Sequence, residues 1–132
     1  MRMRERRRKR REAEESSRAI EPDDDAERAR RALGLDPFAY ELDPLLKEIS
    51  FGDWEGRTWK ELRKALPDAA ASREADKWSY QPPAGESYAM LAMRIAGWLR
   101  EVDRDCVVAS HGAVSRALRS LVIEMPRSEI AA

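Results

Sequence analysis

Cysteine appears once in the 132 residues, as Cys106, and histidine once, as His111. A single thiol excludes an internal disulfide, so a reducing cytoplasm is the expected compartment. No stretch approaches the ~20 apolar residues of a membrane span. The basic start also lacks the apolar segment that a secretory or twin-arginine signal needs. There are no internal repeats and no zinc-type ligand spacing. An excess of one charge sign is missing too: Lys+Arg and Asp+Glu number 25 each, so overall charge names no partner. These absences leave a soluble cytoplasmic protein with room for one domain, burying roughly two-thirds of its unfolded surface.

What is present is unevenly distributed. Arg2, Arg4, Arg6, Arg7, Arg8, Lys9, Arg10 and Arg11 crowd the start, and Asp23, Asp24 and Asp25 follow. Ile20 is the one strongly apolar residue between Met3 and Leu33. A helix without an apolar face has nothing to pack, so residues 1–25 read as a frayed helix or as disorder. The folded domain is expected over 26–132.

From Ala26 the pattern sharpens. Residues 26–33 read as a helix ended by Gly34 as a C′ glycine, with Pro37 beyond. Pro44 bars a central strand through 40–49 and leaves short strands on either side. Thr58-Trp59-Lys60-Glu61 is a capping-box signature, and its helix stops before Pro67. Residues 67–85 form a long connection that is functional or helical in part; Trp78, Tyr80 and its prolines suit either a substrate lid or a pinned loop. Ser87 caps a helix in which Tyr88, Leu91, Ile95, Trp98, Leu99 and Val102 recur at three- and four-residue spacing. Cys106-Val107-Val108-Ala109-Ser110 suits a strand buried on both faces of a parallel sheet. Val114, Ala117, Leu118, Leu121 and Val122 then fall at helical spacing until Pro126. Helix–strand–helix order argues for an α/β fold.

The chemistry concentrates at two places. In open α/β sheets ligands bind beyond the carboxyl ends of the strands, and Ser110-His111-Gly112-Ala113 stands there. A helix beginning at that point presents unpaired N–H groups and a positive dipole end, which suits a phosphate. Gly112 allows close approach, and His111 serves as donor, cation or acid. A histidine after a strand is as often a capping or turn residue, and both readings stay open. The second place is Glu48 to Gly56. Read locally, Glu48, Asp53 and Glu55 are solvated loop carboxylates; proton donors with raised pKa values are the alternative.

Taken together, these segments resemble a known family. Leu46-Lys47-Glu48-Ile49-Ser50-Phe51-Gly52-Asp53-Trp54-Glu55-Gly56 resembles the L-x-E-x-x-x-G-x-W-E-G motif of the phosphatase branch of the histidine phosphatases. Pro83-Ala84-Gly85-Glu86-Ser87-Tyr88, with Leu91 and Arg94, is similar to the family's G-E-S segment and following helix. Val107-Val108-Ala109-Ser110-His111-Gly112 is similar to its second histidine motif. The resemblance covers about residues 27 to 130, in matching order and spacing. It implies a phosphoglycerate mutase-like fold: a three-layer α/β sandwich with a mostly parallel sheet, here incomplete at both ends. It also implies phosphomonoester hydrolysis through a phosphohistidine, on a small phosphorylated substrate, with no metal or organic cofactor. Glu48 takes the general-acid position, protonating the leaving oxygen. His111 binds phosphoryl oxygens, helped by the N–H groups of Gly112 and Ala113. Arg18, in Ser17-Arg18-Ala19-Ile20-Glu21, is similar to a further phosphate-binding arginine, at a longer spacing.

One part of the family pattern is missing. The nucleophile belongs to an Arg-His-Gly motif at the end of the first strand, and this sequence contains no such motif. The expectation is a truncated or frameshifted gene product that is inactive as written, because losing a nucleophile costs many orders of magnitude in rate. Two further readings compete: a non-catalytic phosphate-binding remnant, and a nucleic-acid tether through the Arg-rich start. An unpaired strand at 106–110 would further leave a sheet edge open to self-association.

Overall fold

The computed structural model describes residues 24–131. The basic start lies outside the described residues. The rest divides into two units, 24–47 with 105–109, and 48–104 with 110–131.

The first unit is built from local hydrogen bonds. Helix α1 (Asp24–Ala32) ends as its sequence dictates. Gly34 adopts φ 69°, its N–H bonds the Arg31 carbonyl at 3.1 Å, and the Leu35 N–H bonds the Arg30 carbonyl at 2.9 Å. That double bond is the Schellman closure a left-handed glycine permits. Asp36 Oδ1 accepts from the Phe38 N–H at 3.0 Å. Asp43 caps a 3₁₀ turn, Pro44–Leu46, by accepting from the Leu45 N–H. None of residues 25–47 and 105–109 is fully buried.

The second unit holds the core. Thr58 and Glu61 form the reciprocal capping box that opens α2 (Trp59–Ala65). Helix α3 (Pro67–Ala75) follows at once, which places half of the expected long connection in a helix. Proline stops one helix because it lacks an N–H, yet at the first position of the next that N–H would have been unpaired anyway. Ser87 caps α4 (Tyr88–Glu101), accepting from the Met90 N–H at 3.1 Å. Helix α5 spans Gly112–Ile123 and α6 spans Arg127–Ile130. Leu91 and Ile95 of α4, and Val114 and Ala117 of α5, are wholly buried where these two helices pack together. Ile130 of α6, Leu62 of α2 and Ala70 of α3 extend that core.

The expected α/β three-layer sandwich is corrected: no strand occurs among the described residues. The short strands around Pro44 are replaced by extended chain and the 3₁₀ turn. Residues 106–110 are irregular and Val107 is 87% exposed. A strand forms only as part of a hydrogen-bonded ladder with a neighbour, and none of residues 106–110 takes part in one. The sheet edge expected to drive self-association is therefore not among the described residues. None of the described helices is long and apolar enough to cross a membrane.

Candidate active site

The loop from Glu48 to Gly56 is pressed, backbone to backbone, against residues 82–86. Gly52 has φ 55°, and a Cβ there would lie 2.2 Å from the Pro83 carbonyl oxygen. A Cβ on Gly85 would lie 2.8 Å from the Ser50 carbonyl oxygen. Only glycine at both positions allows this approach. The Asp53 N–H donates to the Pro83 carbonyl at 2.9 Å, and the Glu86 N–H to the Ser50 carbonyl at 2.7 Å. Behind them Trp54 is buried, stacked on Tyr80 with ring centroids 5.5 Å apart and tilted against Trp59 at 6.2 Å. Tyr80 thus pins its segment to the core. The Trp54 indole N–H has no acceptor among the described residues, a cost of about 1–3 kcal/mol that the ring burial must offset.

The three loop carboxylates separate by role. Glu55 serves the loop itself, its Oε1 accepting from Ser50 Oγ at 2.9 Å and the Phe51 N–H at 3.2 Å. Asp53 points no interaction toward the helix start and is exposed. Glu48 is half-buried. Its Oε1 accepts from the Ile49 N–H at 2.9 Å, and its Oε2 from the Ala113 N–H at 3.3 Å. The carboxylate therefore sits on the first turn of α5, where unpaired N–H groups favour an anion.

His111 occupies the N-cap position of α5 with extended φ and ψ, and its side chain makes no capping hydrogen bond. Its carbonyl accepts from the Ser115 N–H at 2.8 Å. The backbone thus takes the cap while the exposed imidazole is left for other work. Gly112 is exposed and Ala113 buried. Arg116, one turn on, donates through Nε to the Ile130 carbonyl at 3.0 Å and through Nη2 to Tyr88 Oη at 3.4 Å. Sequence reasoning gave no role to Arg116. The signal available was its position four residues after Gly112, on the same helix face. The structure therefore brings Glu48 to Ala113, beside Gly112 and the His111 cap; Arg18 lies outside the described residues. Among the described residues no three His, Cys, Asp or Glu side chains gather as a metal site.

The chain is similar to known proteins. The family model described as the histidine phosphatase superfamily (branch 1) matches residues 15–132. The 6-phosphofructo-2-kinase/fructose-2,6-bisphosphatase of Arabidopsis thaliana is 39% identical over 88 residues, 64% of this chain and 12% of that protein. The corresponding enzyme 1 of Bos taurus is 35% identical over 101 residues, 75% of this chain and 21% of that one. A solved candidate alpha-ribazole-5'-P phosphatase of Escherichia coli superposes with a TM-score of 0.58 at 24% identity, covering 79% of this chain and 56% of its own. The chain thus spans a minor part of those two relatives and just over half of the solved chain.

Proposed function

The chain belongs to the histidine phosphatase superfamily, branch 1, and from that premise we propose that it carries the general-acid and second-histidine half of a phosphomonoesterase site. The observation that supports this reading is the Glu48 Oε2 to Ala113 N–H hydrogen bond at 3.3 Å. It joins two family-like motifs, 65 residues apart, at one helix start.

In the complete reaction the phosphoryl group leaves the substrate oxygen for a histidine nitrogen, and water later releases it as phosphate. Glu48 gives its proton to the leaving oxygen as the P–O bond breaks. His111 and the N–H groups of Gly112 and Ala113 hold the phosphoryl oxygens as charge builds. An incoming phosphate takes over the Ala113 N–H from the Glu48 carboxylate. The relatives are named for a fructose bisphosphate and a ribazole phosphate, so small sugar phosphates are the natural first substrates to assay. The nucleophile comes from an Arg-His-Gly motif in the family pattern, and this sequence has none. The chain alone is therefore a phosphate binder without turnover.

The test is aryl phosphate hydrolysis beside inorganic phosphate binding, followed on the amide resonances of Gly112 and Ala113. Saturable shifts at both amides, lost in His111→Ala, with hydrolysis at background, are expected. Hydrolysis abolished by His111→Ala would mean that another residue replaces the nucleophile. Absence of any phosphate-induced shift would remove the site.

A further inference from the structure

Glu48 can rest on Ala113 only if the chain just after it is held in place. Ser50, two residues on, has both backbone groups engaged by a single residue. Its carbonyl accepts from the Glu86 N–H at 2.7 Å, and its N–H donates to Glu86 Oε2 at 3.2 Å. The same carboxylate is gripped from α4 by Arg94, through Nε to Oε1 at 2.9 Å and Nη2 to Oε2 at 2.8 Å. Both side chains are sheltered, at 21% and 17% exposure, and the two-pronged fork fixes direction as well as distance. Arg94 in turn stands next to Ile95 and three residues from Leu91, both wholly buried, so the grip is anchored to the rigid part of the second unit. Ile49, between Glu48 and Ser50, is itself buried.

We propose that Glu86, held by Arg94, is a positioning residue for Glu48, setting the acid's carboxylate on the first turn of α5 through the Ser50 backbone. The proposal rests on the reading of Glu48 as the acid of the phosphatase site, but its geometry is open to test without turnover. A carboxylate seated by packing alone would not need Glu86. One seated by this relay loses its place when the charge or the fork is removed, while the helices stay folded.

The experiment is a double-substitution cycle read on the Ala113 amide resonance of the full chain. Glu48→Ala is expected to shift that resonance in the otherwise unchanged protein. In Glu86→Gln the same second substitution is expected to produce less than half of that shift. Arg94→Lys, which keeps the charge and loses the fork, is expected to fall between. The Met90 amide, bonded to Ser87, serves as the control and should not move. An undiminished Ala113 shift in Glu86→Gln, with a lowered melting temperature, would assign Glu86 a merely structural role and overturn the proposal. If Glu86→Gln does not fold, an undiminished shift in Arg94→Lys overturns it equally. Inorganic phosphate added to each variant separates the two readings: absent phosphate shifts throughout sink the functional reading, whereas persisting ones with a full Glu48 effect sink this one alone.

Discussion

The two units of this molecule hold their shapes by different means. Residues 24–47 with 105–109 contain a helix, a Schellman closure and two aspartate-capped turns, yet no side chain from 25 to 47 or 105 to 109 is fully buried. Leu33 and Phe38 remain 64% and 67% exposed. Residues 48–104 with 110–131 use the same kinds of cap, at Thr58 and Ser87, and add the whole buried set from Ile49 to Ala131. Every candidate site residue that the structure describes lies in this second unit. Caps shape a segment; only burial holds two distant segments together long enough to build a site.

The largest effect that would break this contrast is expected at the glycine contact. Gly52→Ala forces a Cβ into the Pro83 carbonyl and an alanine into a left-handed φ, for a loss of roughly 3 kcal/mol or more. Urea unfolding followed by tryptophan fluorescence measures it, since Trp54 lies two residues on. Nearly as large is Ile95→Ala, at about 2–5 kcal/mol, whereas Leu35→Ala in the first unit should change stability by less than about 0.5 kcal/mol. Comparable losses from the two would dissolve the distinction between the units.

Smaller effects sharpen it. Gly34→Ala meets no atom within 4 Å and carries only the left-handed strain, about 1 kcal/mol. It should lower the helicity of α1 by circular dichroism without shifting the unfolding midpoint of the second unit. Ser87→Ala should cost about 1 kcal/mol, and this loss should appear in that midpoint, because α4 carries the core.

The smallest effect depends on pH. Glu61 is held below its ordinary value of 4.5, first by the Thr58 backbone N–H and then by the Thr58 hydroxyl. A carboxyl lowered on folding contributes stability above its unfolded value and loses it as pH falls through the folded one. The protection of the α2 amides, taken relative to their intrinsic exchange rates at each pH, should therefore fall on acidification below about that ordinary value, and Glu61→Gln should flatten the dependence. A flat profile in the unaltered chain would contradict the capping box as a source of stability.

The sequence and the structure agree where the physics is short in range. The Gly34 stop, the Thr58–Glu61 box, the Ser87 cap and the stripe of Tyr88, Leu91 and Ile95 each depend on residues three to five apart, and all are present. Pro67 shows the limit of that logic, since the same missing N–H that ends α2 is harmless at the start of α3. The apolar run 106–110 exceeds the limit altogether. Its composition is that of a buried strand, but a strand is a property of a pair, and no ladder forms at these residues. At the site, the sequence alone singled out the candidate residues, because Glu48, His111, Gly112 and Ala113 stand in recognisable motifs. It could not show that Glu48 rests on Ala113, that Gly52 and Gly85 press two loops together, or that Glu86 reaches back to Ser50. Those contacts join residues tens of positions apart. No local preference encodes them, and only the burial of Ile49, Trp54, Leu91, Ile95 and Val114 in one core selects them from the many that the chain could make.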